Sequence, residues 1–256
     1  MCEGIITLSS SRVTVVETSP IDKCRYCLVG FPDVGLVSSI ALGHAILQAQ
    51  MTEVGHLESD EFPPVIVVHD GVPKPPLRLY HKNDVVFVVS EMPIDSNLIT
   101  PIVRSLVDWA ESKNVELLIT TSGIAVPNRL EIEVPEVYGV ASSAAGRKVM
   151  EDAGIKALEE GFIAGLHAAL MKESLKKKVP SLILLAQSHL KYPDPGAAAS
   201  LINALNRLVG FDVDTKELLV HEGEVRLRLR ALMQRTQENM QQVKKGQEQE
   251  IPLLYS

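Results

Sequence analysis

Cys24-Arg-Tyr-Cys27 is a C-x-x-C pair, the spacing that redox enzymes and zinc sites use. A redox pair sits at a helix N-terminus, where the amides favour the thiolate, and a structural zinc needs two further ligands close by. Here the pair runs into an apolar, β-prone stretch, and neither a second C-x-x-C nor an H-x-x-x-H occurs. Positions i and i+3 of a strand face opposite sides. Both thiols are therefore expected to be reduced, splayed apart and free of metal. Gly30-Phe-Pro-Asp-Val-Gly35 places two glycines at phosphate-loop spacing where a strand gives way to a helix, but Leu36-Val37 stand where the lysine and hydroxyl residue would be. Tight backbone packing is the expected use of these glycines. No G-x-G-x-x-G and no G-x-S-x-G is present. His69-Asp70-Gly71 reads as a turn, and the other histidines are dispersed without ligand spacing. Asp60, Glu61, Glu91 and Asp95 fall near expected strand ends, where open α/β sheets bind ligands, yet nothing distinguishes them from capping and loop charges. No catalytic residue, metal or cofactor is assigned.

The final residues, Leu254-Tyr255-Ser256, carry a different chemistry. An apolar side chain and a phenol supply buried area at small conformational cost, and the phenol keeps a polar handle. A free carboxylate on Ser256 could pair with a lysine or a backbone nest, a recurring mode of peptide recognition. The stretch from Gly246 to Leu253 reads as a polar, extended lead, and ten extended residues reach about 35 Å.

These groupings have to be positioned by alternating strands and helices. Short β-prone runs occur at Ile5–Leu8, Val13–Val16 and Val137–Val140. The runs Val65–Val68 and Val85–Val89 are continuously β-branched and apolar, the mark of strands covered on both faces, and Tyr26–Phe31, Val115–Thr121 and Pro180–Ala186 also read as buried strands. Helical patterns occupy Val34–Gln50, Ser96–Lys113, Ser142–Ala153 and Phe162–Lys177, then a stretch capped by Asp194-Pro195 and stopped by Gly210. A last helix is expected over Asp214–Val243. Its residues Leu229, Met233, Thr236, Met240 and Val243 form a heptad-like stripe, either docked on its own domain or projecting to form an oligomer. Alternation of this kind implies an α/β fold, a three-layer α/β/α sandwich with a largely parallel sheet. Residues 1–221 are read as one domain, 222–245 as an amphipathic helix and 246–256 as a flexible docking tail.

With 256 residues, 46% hydrophobic and 22% charged, the chain is long enough for a large core and ordinary for a globular protein. A formal net charge of −7 and 4% aromatic residues argue against nucleic acid, which needs a basic field and stacking platforms. No signal peptide or membrane span is legible, so a cytoplasmic location is expected.

Six segments occur together in the order of one family: Gly30-Phe-Pro-Asp-Val-Gly-Leu-Val37, Glu61-Phe-Pro-Pro64, Asp70-Gly71, Val137-Tyr-Gly-Val140, Gly161-Phe-Ile-Ala-Gly165 and Asp194-Pro-Gly-Ala-Ala198. From Cys27 to Leu219 the chain resembles the archaeal branch of the proteasome assembly chaperone family. The resemblance implies an architecture related to nucleoside phosphorylases but without known catalysis. It also implies homo-oligomerisation, a tetramer being favoured over a trimer or pentamer. Some members end in a hydrophobic–tyrosine–any tail that enters pockets between α subunits of the proteasome core particle without ATP. The matching positions here are Leu254, Tyr255 and Ser256. The other reading of the same scaffold is an enzyme, a hydrolase or phosphorylase working through its strand-end loops.

Overall fold

The computed structural model describes residues 12–250. The chain opens with strands β1 (Thr14–Glu17) and β2 (Tyr26–Gly30), then a single 3₁₀ turn (Val34–Leu36) and helix α1 (Val37–Gln48). Five strands follow: β3 (Thr52–Glu58), β4 (Val67–His69), β5 (Val72–Lys74), β6 (Leu77–Lys82) and β7 (Val85–Ser90). Helix α2 (Ser96–Ser112), β8 (Leu117–Ala125), β9 (Val137–Ala141), α3 (Ala144–Asp152), β10 (Lys156–Ala157), α4 (Gly165–Lys177), β11 (Ser181–Ser188) and α5 (Pro195–Val209) complete the sheet and its cover. Helices α6 (Lys216–Val220), α7 (Glu222–Arg228) and α8 (Arg230–Glu250) end the described chain.

One nine-stranded sheet, in the order β1-β3-β6-β7-β2-β8-β11-β9-β10, organises the molecule. The runs Tyr26–Phe31, Val85–Val89, Val115–Thr121 and Pro180–Ala186 form its middle. Strands β7, β2, β8 and β11 are mutually parallel, whereas β3 and β6 on one side and β9 on the other pair antiparallel to their inner neighbours. The sheet is thus mixed: the expected parallel arrangement holds at its centre and for the β9–β10 pair at one edge, and the remaining pairs are antiparallel. Alternate residues of the central strands feed two cores. Leu28, Phe87, Ile119 and Leu184 pack with α1 and α5 through Ile40, Leu201 and Leu205. Cys27, Val29, Val88 and Leu118 pack with α2 and α4 through Ile102, Leu106 and Leu170. Burial from both sides explains why these strands are largely apolar along both faces.

Val65–Val68 has the same composition but a different fate. Only Val67–His69 becomes strand, and it pairs with β5 in a separate two-stranded ribbon, leaving Ile66 67% and Val68 61% exposed. The cause is local. Asp70 (φ 51°) and Gly71 (φ 79°) both adopt left-handed backbone between His69 and Val72, the geometry of a two-residue hairpin turn. That turn had been expected; the ribbon it closes had not. His69 returns to the sheet through its Nε2, 3.0 Å from the Glu91 carboxylate and 3.0 Å from Arg78 Nη2.

Two further expectations change. Cys24 lies before β2 rather than in it, so the thiols are not splayed: Cys24 and Cys27 enter the same core, with Cys24 Sγ donating to the Tyr26 carbonyl at 3.6 Å. Burial pushes the Cys24 thiol up to about 12 and raises Cys27 as well. Both are therefore expected to resist iodoacetamide at pH 8 in the native protein and to react in urea, which peptide mass spectrometry resolves; native alkylation would show that this core opens. The expected helix over Asp214–Val243 is divided into α6, α7 and α8, interrupted at His221 and Leu229. The Ile5–Leu8 run lies outside the described residues. No described helix is long and apolar enough to cross a membrane.

Candidate functional site

The expected docking residues Leu254, Tyr255 and Ser256 lie outside the described residues, so what the structure shows is their approach. The described part of the stripe is docked on its own domain: Leu229, at the break before α8, packs against the core, and on α8 Met233 is 2% exposed and Thr236 is buried. Thr236 is accommodated because its hydroxyl donates to the Leu232 carbonyl at 2.8 Å, one turn back. Gln237 donates to the Lys191 carbonyl at 2.8 Å and Asn239 to Asp95 Oδ1 at 3.4 Å, which fastens the helix across the carboxyl end of the sheet. The Val243 side chain lies outside those described.

That end of the sheet holds a cleft of about 470 Å³ at the carboxyl ends of β2, β7 and β8. This is where open α/β sheets present ligands. Two of the sequence segments noted above line it, Phe31–Val34 and Gly161–Gly165, together with Met240 of α8. Phe162 stands at its edge, 90% exposed. The helix expected from Phe162 starts only at Gly165, whose φ of 71° turns the chain into α4.

The glycine turn after β2 serves packing, as expected. Gly35 (φ 65°) lies so close to β11 that a Cβ there would collide with Ser188 Oγ, and its carbonyl accepts from the Asp194 amide at 2.9 Å. A Cβ at Gly123 of β8 would in turn strike the Val34 carbonyl. Ser38, at the start of α1, donates to the Thr121 carbonyl and lies 2.9 Å from Thr121 Oγ1.

Within the cleft wall, Asp33 and His167 meet although 134 residues apart, His167 Nε2 lying 2.9 Å from Asp33 Oδ2. The other ring nitrogen, Nδ1, is 2.6 Å from Thr120 Oγ1, so both nitrogens are engaged. Burial raises the Asp33 carboxyl above the ordinary carboxylate range, opposed by the hydrogen bond and charge of His167 and, more weakly, by Ser122 and the Gly123 amide. Neither of the latter makes a directed bond to Oδ1, which is buried without a partner. The carboxylates singled out in the sequence lie elsewhere. Glu91 belongs with His69 and Arg78, Glu61 pairs with Arg12 at 3.2 Å, and Asp95 receives Asn239. Among the described residues no cluster of three His, Cys, Asp or Glu side chains is placed to hold a metal.

Next to the cleft, Asp194 is fully buried and bidentate to Arg129, at 2.7 Å to Nε and 2.8 Å to Nη2. The same carboxylate accepts from the Ala197 amide at 3.0 Å, capping α5, and from the His189 amide at 3.0 Å. Gly196 leaves the room that the guanidinium fills, and Ala197 and Ala198 are buried. The Asp-Pro-Gly-Ala-Ala segment is thus a structural clasp.

The fold is thus an α/β class with a large mixed sheet covered by helices. The chain belongs to the PAC2 family, whose model matches residues 27–233. Among solved structures it is similar to Pyrococcus furiosus PbaA, described as an archaeal homolog of proteasome-assembly chaperone. The two share 28% identity at a TM-score of 0.82, over 88% of this chain and 98% of that one. P. furiosus PbaB, described as an archaeal proteasome activator, shares the fold at a TM-score of 0.70 and 20% identity, over 86% of this chain and 98% of that one. A relative from Methanocaldococcus jannaschii, the uncharacterized protein MJ0106, is 25% identical over 79% of this chain and 82% of its own length.

Proposed function

We propose that this chain is a homo-oligomeric, ATP-independent factor that binds the proteasome core particle and assists its assembly or activation, docking Leu254, Tyr255 and Ser256 between adjacent α subunits. The observation that carries this reading is the coincidence of a PAC2-family body over residues 27–233 with a hydrophobic–tyrosine–any ending in one sequence. The described relatives PbaA and PbaB support it by their own proteasome connection. The docking segment, 246–256, starts within the last turns of α8, which continues to Glu250 where an extended lead is expected, and the 222–245 arm lies against the 1–221 body through Met233, Thr236, Gln237 and Asn239. The three-layer, phosphorylase-like description of that body belongs to the same reading, supported by helix pairs α1/α5 and α2/α4 on opposite faces.

Self-association is supported by the β4–β5 ribbon. A two-stranded ribbon is marginal alone, and Val65, Ile66, Val68 and Val72 leave it with an apolar surface in solvent. Burial against a second copy satisfies both conditions. A tetramer is the favoured assembly, with trimer or pentamer next. Several tails on one ring make later contacts intramolecular, so weak single-tail affinity becomes useful avidity.

The enzyme reading would draw on the cleft, but its hydroxyls do not support a nucleophile there. Thr120, the hydroxyl partner of His167, is fully buried, and Ser122 donates to the Gly123 carbonyl at 3.0 Å. The test is capture of core particles or isolated α rings by the native chain without nucleotide, with light scattering for its mass. Capture by a closed oligomer is expected; a strict monomer removes the avidity argument, and absence of capture overturns the reading.

A further inference from the structure

We propose that residues Ile5–Leu8 form a third strand on the β4–β5 ribbon, pairing antiparallel with the open edge of β4 in the same chain. These residues lie outside the described ones; what is described is the edge they would meet and the point from which they depart.

The ribbon offers one usable edge. The two-residue turn at Asp70-Gly71 makes His69 and Val72 a hydrogen-bonded pair, so the backbone groups of the next pair, Val68 and Pro73, turn outward. Those of Ile66 and Pro75, two residues further along, turn outward as well. On the β5 side both outward positions are proline and present no donor. On the β4 side Ile66 and Val68 keep both amide and carbonyl, in residues 67% and 61% exposed. An unblocked edge of this kind recruits another strand.

Arg12 indicates which strand. Its carbonyl accepts from Ser59 Oγ at 2.6 Å, and its guanidinium lies 3.2 Å from the Glu61 carboxylate. The N-terminal segment therefore departs beside the stretch that leads into β4. Leu8 stands four residues before Arg12 and Ile66 five residues after Glu61, spans of at most about 14 Å and about 18 Å. Direction agrees, since the segment runs toward Ser59–Glu61 and β4 runs away from it. Register agrees too. Strands β1 and β3 pair Thr14 with Glu58 and Glu17 with Gly55, and continuing that count sets Ile6 opposite Ile66 and Leu8 opposite Pro64. His69 and Lys74 reach the body through Glu91 and Glu53, so Ile66 and Val68 face outward, and Ile6 and Leu8 would join them there. Ile5-Ile-Thr-Leu8 has the β-branched, apolar composition that such a strand needs. Three strands sharing an apolar face hold together where two are marginal. The outward face stays open to the second copy proposed above, but the edge pairing stands whether or not that copy binds.

Amide hydrogen exchange, resolved at Ile66, compares the full chain with a chain lacking residues 2–11 and with Ile6→Pro, which removes a donor from the proposed strand. The Ile66 amide is expected to exchange at least about tenfold more slowly in the full chain than in either variant, with the β7 amides alike in all three. Ile6→Pro carries the test if the shortened chain does not fold. Ile6→Cys and Ile66→Cys, combined with Cys2→Ser and treated with a short bismaleimide, should link within one chain and run at monomer mass on a denaturing gel; Cys24 and Cys27 are buried and do not compete. Equal exchange in all three chains would overturn the proposal. So would the absence of a link, or linked dimers, which would place the strand on a neighbouring copy. Light scattering reads the oligomer separately, so a monomer with a protected Ile66 would remove the assembly and keep the strand.

Discussion

A chain ending at Leu253, without Leu254-Tyr255-Ser256, is expected to lose capture of proteasome core particles while keeping its fold and its oligomer. Nothing in the described core depends on the tail: among the described side chains, the last buried ones are Met233 and Thr236. Tyr255→Ala should act almost as strongly. Truncating a buried aromatic anchor at an interface typically costs about 2 kcal/mol or more, roughly thirtyfold per tail. When several tails engage together the factors multiply, so a modest loss per site becomes complete loss in a pull-down. Appending residues after Ser256 should be nearly as damaging, because the terminal carboxylate is moved away from its partner. Wild-type and variant protein are compared for capture of α rings, with light scattering to confirm equal mass. Equal capture by both would refute docking by the tail. Capture by neither would mean that another partner reads it.

The second large effect is expected inside the body. Asp194→Ala removes both contacts to Arg129, the α5 cap and the acceptor of the His189 amide, and leaves a buried guanidinium unpaired. Breaking a buried pair from one side costs about 3–5 kcal/mol. At about 2–4 °C per kcal/mol for a domain of this size, thermal melting should fall by roughly 6–20 °C. Asp194→Asn, which can still accept from Ala197, should lie between wild type and Asp194→Ala. Adding Arg129→Met to Asp194→Ala should recover part of the loss, because no charge is then left buried without a partner. A change of less than about 1 kcal/mol for Asp194→Ala, the level of an exposed pair, would show that solvent reaches the clasp.

The parts of this fold that the sequence reveals are those where burial alone dictates composition. Tyr26–Phe31, Val85–Val89, Val115–Thr121 and Pro180–Ala186 are covered on both faces and appear as strands at their expected places. Strands β3 and β6 escape notice because Thr52–Glu58 and Leu77–Lys82 mix Glu, His, Arg and Lys with apolar residues, as half-exposed strands do. The Val65 run misleads for the opposite reason: its β-branched residues build a ribbon beside the sheet, and what separates the two outcomes is the Asp70-Gly71 turn and its partner β5. The cleft is a product of topology. No spacing rule links Asp33 to His167 across 134 residues; the only trace in the sequence is that each belongs to a glycine-bounded segment, or directly follows one, at a strand or helix end.

The strand order also sets a timetable for synthesis. Strand β2 is the first of the central strands to leave the ribosome, and its neighbours are β7 and β8. About 60 residues separate the end of β2 from the end of β7, an interval of roughly 3–12 s at ~5–20 residues per second. Throughout that time Tyr26-Cys-Leu-Val-Gly30, buried on both faces in the finished protein, has no native strand to pair with. Strand β3 emerges meanwhile but belongs three places away, beyond β6. The nascent chain therefore carries an unpaired apolar strand longest at the centre of its future sheet, where a wrong edge-to-edge partner would be hardest to displace.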